Sequence, residues 1–397
     1  MPGWHDFTEN ARRSGTIRTI GIIEDQHPDR ARLFMQWKQM DWPILVDPLN
    51  RLGVKVVPIT LLLDEAGVVR AVNPTRENFT RFIQESPATA GAVSDRTALP
   101  RPSLAALKEN AAQGGVDAIL RYGDAAVEWG NGTRLDEAVA AYQRTLEFEP
   151  DNGAVHFRLG AVYRMRFDSD SRRDGDFRRA VEHWQRALDI DPNQYIWRRR
   201  IQQYGPRLEK PYPFFDWVDT ARQEIRARGE DPMALTVEPG GAEIAAPLET
   251  FEKDESAVRA PDEDGRITRD QEGFIRLEST VVPAVIQEGA SARVHLVFRP
   301  NPEIKAHWNN EVEPLSVWLD PPEGWALDSR LHHASQPPEP VSVEPGRIEF
   351  ELRAPADFSG PARIPAYALY YVCEDVNGIC VFRRQDFQIE LTVRPGP

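Results

Sequence analysis

Cysteine is almost absent from this chain. Its 397 residues hold two, Cys373 and Cys380, both near the C-terminal end. Any thiol chemistry or disulfide must therefore run through that pair. Positive charge is also short: 48 Lys and Arg stand against 62 Asp and Glu, a formal net charge of -14. That balance argues against a nucleic-acid phosphate partner, which would need a basic face. No apolar run reaches about 18 residues, so no transmembrane helix is expected. Met1 to Asp6 shows no basic segment followed by an apolar one, so no signal peptide is visible. Glycine-rich phosphate loops, Ser/His/Asp orders and paired carboxylates are missing, and no cofactor is expected. His307 and the pair His332-His333 offer nitrogen, but adjacent histidines point to opposite sides of a strand. No Cys or acidic residue completes a ligand spacing around them, and no metal is expected. Asp47 and Asp64 follow strand ends and are expected as turn or cap residues.

What is present suggests several domains. The length accommodates two to four, and 41% hydrophobic residues can bury real cores. The 33 prolines favour loops and edge strands over one long bundle. Residues 1–88 alternate strand and helix signals. Thr16 to Ile23 is expected as a buried strand and Asp29 to Met40 as a helix with Leu33, Trp37 and Met40 on one side. Pro43 to Val46 is a short apolar run. Ile59–Asp64 and Val68–Val72 are expected as a hairpin, and Arg76 to Glu85 as a closing helix. Alternation of this kind implies an α/β layer fold.

The motifs Leu45-Val-Asp47, Leu52-Gly-Val54, Val57-Pro-Ile-Thr60 and Leu63-Asp-Glu-Ala-Gly-Val-Val69 resemble the thioredoxin fold in its TlpA/ResA-like or peroxiredoxin-like branch. The resemblance implies that Pro58 is a cis-proline facing a redox dithiol. The family's Cys-x-x-Cys and its first strand are absent from the chain as written, which begins where the later half of the first helix is expected, at about Trp4 to Arg13. Residues 1–88 are thus expected as a truncated thioredoxin-like domain without a thiol, its sheet edge open to pairing.

Residues 103–230 are expected to be helical, with a repeat near 34 residues. Asp136 to Pro150 recurs as Phe177 to Pro192, and His156 to Tyr163 supplies an intervening helix. The pattern matches tetratricopeptide repeats. The small residues Ala138, Gly160 and Ala180 let paired helices approach, while Tyr142, Tyr163 and Trp184 fill the space between them. Met165 to Gly175 is expected as an inserted polar loop. Repeats of this kind offer a surface for a protein partner. About two repeats are clear, so the array is expected to lean on a neighbour or on the aromatic segment Tyr212 to Trp217. Residues 231–272 are acidic, with Pro261-Asp-Glu-Asp-Gly265, and are expected as a linker.

Residues 273–397 carry short alternating strands separated by turn clusters, which argues for an all-β sandwich. Asn377-Gly378 lies between the two cysteines and is a hairpin signal. It sets the thiols facing each other, as a structural staple or as a reversible dithiol. A disulfide closing this loop would contribute roughly 2.5 kcal/mol in the chain-entropy model. Arg383 and Arg384 would lower a thiol pKa, Glu374 and Asp375 would raise it, and Tyr371 and Phe382 stand ready to shield the sulfurs.

His307-Trp-Asn309, Leu315 to Trp325, and Tyr370-Tyr-Val-Cys373 with Cys380 resemble the N-terminal periplasmic domain of the DsbD thiol:disulfide interchange protein, an immunoglobulin-like sandwich. The resemblance implies that Cys373 and Cys380 form a reversible disulfide exchanging electrons with thioredoxin-fold proteins. The expected function is thiol-disulfide exchange with such redox partners. The alternative is a non-catalytic scaffold that binds proteins on its repeats and carries a structural disulfide. The expected compartment is periplasmic or extracytoplasmic if an upstream signal is missing, and cytoplasmic if the chain is complete as written.

Overall fold

The computed structural model describes residues 2–25, 27–85, 101–208, 215–240, 243, 251 and 259–396. Residues 86–88 of the expected first domain, Tyr212 to Phe214 of the aromatic segment, and most of 241–258 lie outside the described residues. The chain is a mixed helix-and-sheet protein of two compact units. The first comprises Met1–Arg172, Glu182–Arg199 and Trp217–Glu238, and the second Arg173–Val181, Arg200–Asp216 and Pro239–Pro397.

In chain order the elements begin with α1 (Pro2–Arg13), β1 (Gly21–Ile23), α2 (Pro28–Trp37), β2 (Ile44–Val46), β3 (Leu61–Leu63), β4 (Val69–Val72) and α3 (Arg76–Glu85). The strands do not join into one sheet. β1 pairs in parallel with β2, and β3 pairs antiparallel with β4 across an irregularity at Leu62/Leu63. Each of β1 and β3 is paired on one side only among the described residues. The expected buried strand at 16–23 is correspondingly short and open: Ile20 and Ile22 are exposed, as are Leu61 and Leu63. Burial gathers instead around Leu33, Leu49 and Phe79, with Trp4 edge-on to Phe7 and to Phe79 and Phe7 tilted against Phe79. The peptide bond Val57–Pro58 is cis.

α2 starts with Pro28, whose fixed φ suits the first turn and whose missing N–H is not needed there. It ends three residues before the expected Met40. Gln39 takes φ 51° there, while Gln39 N–H donates to Gln36 O and Met40 N–H to Met35 O. That pair of bonds is a Schellman closure made without glycine. α2 packs on a later helix of the same unit: the Trp37 and Trp217 rings stack at 5.7 Å, and Trp37 Nε1 donates to Glu224 at 2.6 Å.

The helices continue with α4 (Leu104–Gln113), α5 (Val116–Trp129), α6 (Leu135–Phe148), α7 (Gly153–Phe167), α8 (Asp176–Ile190), α9 (Tyr195–Gln202) and α10 (Trp217–Ala227). Ser103 and Asn152 cap α4 and α7, each accepting a backbone N–H three residues on. Tyr142, Tyr163 and Trp184 are all buried, and Tyr142 donates to Asp124 at 2.9 Å. α7 runs through Phe167, into the stretch expected as loop. Its buried Arg164 and Arg166 are accommodated by Asp168 at 2.7 Å and Asp136 at 2.5 Å.

The second unit holds β5 (Ile275–Val282), β6 (Val285–Gln287), β7 (Ser291–Pro300), β8 (Ala306–Asn309), β9 (Ser316–Leu319), β10 (Ala326–Leu327), β11 (Leu331–His333), β12 (Val341–Ser342), β13 (Gly346–Arg353), β14 (Gly360–Glu374) and β15 (Ile379–Arg394). One sheet has the order β10-β13-β7-β5. The other runs β11-β9-β14-β15-β6, with β8 and then β12 attached beside β14. Alternate residues of both sheets, such as Leu296, Phe350, Ile364 and Tyr370, share one buried core. The opposite face of the four-stranded sheet is polar yet buried. Arg293 lies between Glu349 and Glu351, at 2.9 and 3.2 Å. Within the same unit, His295 Nε2 donates to Tyr204 O at 2.7 Å, and Arg207 N–H to Glu351 at 2.8 Å.

Candidate functional site

The candidate site sits at the tip of the longest hairpin. β14 and β15 pair without interruption from Gly360↔Val393 to Glu374↔Ile379. In this register Ala366, Ala368, Tyr370 and Val372 point into the core. Tyr367, Leu369, Tyr371 and Cys373 therefore face outward, because side chains alternate along a strand. Cys373 and Cys380 are directly opposite one another, and they form a disulfide with Cα atoms 4.0 Å apart.

The turn is closed by Glu374. Its carboxylate accepts the N–H groups of Val376 at 2.6 Å and Asn377 at 2.9 Å. The Asn377 bond holds the Glu374 carboxyl below the usual carboxylate range. Gly378 adopts φ 69°, a left-handed conformation open to glycine at little cost. The two sulfurs do not share one environment. Cys373 is 7% exposed, whereas Cys380 is an exposed residue. One row along the same face, the Tyr371 and Phe382 rings stack with centroids 4.3 Å apart. The Tyr371 hydroxyl donates to Glu313. Tyr371 also lines a small cleft of about 50 Å³, with Trp308, Glu313, Leu315, Pro337 and Pro345 among its walls.

Neither arginine expected to act on a thiol is free to do so. Arg384 pairs with Asp262 at 2.8 Å and Asp386 at 2.7 Å, and lies over the Tyr367 ring. Arg383 is paired across the ladder with the core-facing Tyr370, and it lies 3.7 Å from Glu272. Alternation puts Arg383 on the core-facing side of the ladder, while Arg384 shares the face of Cys380 but is held by its own carboxylates.

A histidine distant in sequence from the cysteines also comes to the site. His307, where no metal is expected, is the cross-strand partner of Cys373 on β8. Its side chain is 16% exposed, with Nδ1 3.3 Å from Lys305 O and 3.9 Å from Asp375. His332 instead stacks on Phe350, away from the cysteines. Asp47 accepts the N–H groups of Arg51 and Leu52, and Asp64 those of Ala66 and Val68, so both close turns. Pro58 lies in the first unit and Cys373 and Cys380 in the second. No helix among the described residues is long and apolar enough to cross a membrane.

No family model matches the chain, and no curated protein matches it. Solved structures overlap it weakly. A sporulation control protein from Bacillus subtilis shares 8% identity over 32% of this chain and 51% of its own, at a TM-score of 0.18. A bacterial hydrophobin shares 16% over 31% of this chain and 96% of its own, at 0.17. An alkylpurine DNA glycosylase from Pseudomonas fluorescens shares 13% over 73% of this chain and 71% of its own, at 0.15. Overlaps this slight carry no argument about fold or function, and the chain is not assigned to a family.

Proposed function

We propose that this protein exchanges electrons with thioredoxin-fold partners through the Cys373–Cys380 disulfide. The observation that carries this reading is the asymmetry of the bridge: one cysteine is buried and the other exposed, at the tip of a ladder. An incoming thiolate has access to Cys380, and Cys373 is the sulfur that leaves. The hairpin is paired along its whole length by main-chain bonds, so opening the S–S bond need not dismantle it. Reduced and oxidised forms can then share one fold, which a carrier of electron pairs requires.

The remaining regions fit this reading as partner-handling modules. A parallel β1–β2 pair and an antiparallel β3–β4 pair, flanked by helices, support a thioredoxin-like domain at 1–88. Buried aromatics between antiparallel helices support tetratricopeptide-like repeats within 103–230, with a protein partner on their surface. Two sheets on one core support an immunoglobulin-like sandwich at 273–397. An extracytoplasmic compartment, where disulfides persist, suits the exposed Cys380.

The test is a redox titration of the full chain in glutathione buffers, together with trapping by a thioredoxin-type protein. Exchange predicts a potential above about -300 mV. It also predicts a mixed disulfide that forms with Cys373→Ser, which keeps the exposed Cys380, and forms poorly with Cys380→Ser. A potential below that value with no adduct from either variant would return the bridge to a structural role and leave the repeats as an interaction scaffold.

A further inference from the structure

Three side chains form one row across three neighbouring strands on the outward face: His307 of β8, Cys373 of β14 and Cys380 of β15. Directly opposite residues of antiparallel strands project to the same side, with Cβ atoms about 4.5–5.5 Å apart. Cys373 thus has Cys380 as its cross-strand neighbour on one side and His307 on the other.

That placement bears on the leaving step. When a thiolate attacks Cys380, the electron pair of the broken S–S bond goes to Cys373. A thiolate at a position only 7% exposed has lost most of its hydration and needs a proton or a cation beside it. The arginines cannot serve, since Arg384 is engaged by Asp262 and Asp386 and Arg383 is paired with core-facing Tyr370. His307 can. The Lys305 carbonyl accepts its Nδ1–H, which fixes the tautomer of the neutral ring. Asp375 also lies on the Nδ1 side. Nε2 is left as the nitrogen that gains or gives the exchangeable proton.

We propose, building on the exchange reading above, that His307 is the proton donor and charge partner of the Cys373 sulfur. The thiolate of a partner dithiol attacks the Cys380 sulfur, forming a mixed disulfide and breaking the Cys373–Cys380 bond. Cys373 leaves with the electron pair and takes the Nε2 proton of the His307 imidazolium. The partner's second thiol, losing its proton to water, attacks its own sulfur in the mixed disulfide and releases Cys380 as a thiolate, which is protonated by water. Two electrons have then passed from the partner dithiol to this chain, and His307 regains its proton from solvent.

Other charges face this row. Asp375 lies beside His307, Glu374 is turned into the hairpin amides, and Glu313 holds Tyr371 one row away. An imidazolium in this row favours a thiolate at Cys373, and the carboxylates oppose one.

The test uses the full-length chain with Cys380→Ser, so that Cys373 is the single thiol. Thiolate absorbance and iodoacetamide alkylation are followed from about pH 4 to about pH 10, alone and with His307→Gln or His307→Lys. The expected midpoint is below the ordinary thiol value of about 8.5. His307→Gln raises it by about one unit, a tenfold loss of thiolate on the acid side of the midpoint. His307→Lys keeps it low but removes the histidine inflection. An unchanged midpoint in His307→Gln overturns the proposal. If that variant misfolds by circular dichroism, His307→Lys carries the test, and a persisting histidine inflection overturns it. Because no partner is present, this outcome is separate from the function reading. A disulfide that fails to exchange in the wild-type chain sinks that reading and leaves the His307–Cys373 pairing to stand or fall on the titration.

Discussion

Single side chains here are governed by their face and their partners more than by which residue they follow. Arg383 and Arg384 sit close to Cys380 in sequence, yet one is paired with a core-facing tyrosine and the other is held by Asp262 and Asp386. The same logic makes Glu351 costly to remove. It is 3% exposed and pairs with Arg293, which is 2% exposed. Glu351→Ala leaves a buried guanidinium with half its charge compensation, and a loss of about 3 kcal/mol is expected in urea denaturation. Glu351→Gln, which keeps a hydrogen-bond acceptor, is expected to cost less, and equal costs would refute the charge argument. His183 gives a pH signature. Burial, and then the neighbouring His156 at 2.9 Å, push its pKa down to about 4 from 6.5. His156 donates through Nε2 to Pro150 O, so its Nδ1 accepts from His183. The folded state refuses a proton that the unfolded chain accepts, so stability is full above about pH 6.5 and is lost as pH falls towards 4. The expected loss is up to about 3 kcal/mol. His183→Gln should flatten stability between those limits in melts at several pH values.

Elements were legible wherever a local pattern sets them. Asn-Gly announced the β14–β15 turn, and Ala138 with Tyr142 announced the packed face of α6. The misses have local causes too. α2 stops at a left-handed Gln39 rather than at a glycine, so no residue type marks its end. Thr16 to Ile20 are β-formers in composition, but β2 offers only three residues for β1 to pair with. Gly123 stands out within its helical run, since a glycine there costs about 1 kcal/mol against alanine. Its reason is α6: a Cβ there would stand 2.8 Å from Tyr142 Cε1. Gly123→Ala should therefore destabilise the first unit by about 1–2 kcal/mol despite its better helix propensity. A chemical denaturation curve showing stabilisation would mean that the α5–α6 approach is slack.

At the scale of the whole chain, the site is legible only in part because it is assembled by non-local register. The cysteine pair declares itself in one short stretch. The row containing His307 exists only once β8 has docked beside β14, and no spacing in the sequence encodes that pairing. The first unit shows the reverse case, in which strand signals are present but the sheet that would bury them is not joined among the described residues. Ile22, Leu63 and Val72 are apolar, β-forming and exposed. Local stability follows buried apolar area and protected main-chain bonds, not strand propensity. β7 is flanked on both sides by β5 and β13 and is buried along nearly its whole length, whereas β1–β4 form two-stranded ladders of three or four residues. Isolated two-stranded pairs are marginal in water. Hydrogen-exchange mass spectrometry should accordingly find the amides of β1–β4 exchanging at least about a hundredfold faster than those of β7 and β13, a gap of about 2.7 kcal/mol in opening free energy. Comparable protection in β3 and β7 would show that these short ladders are held by more than their own pairing.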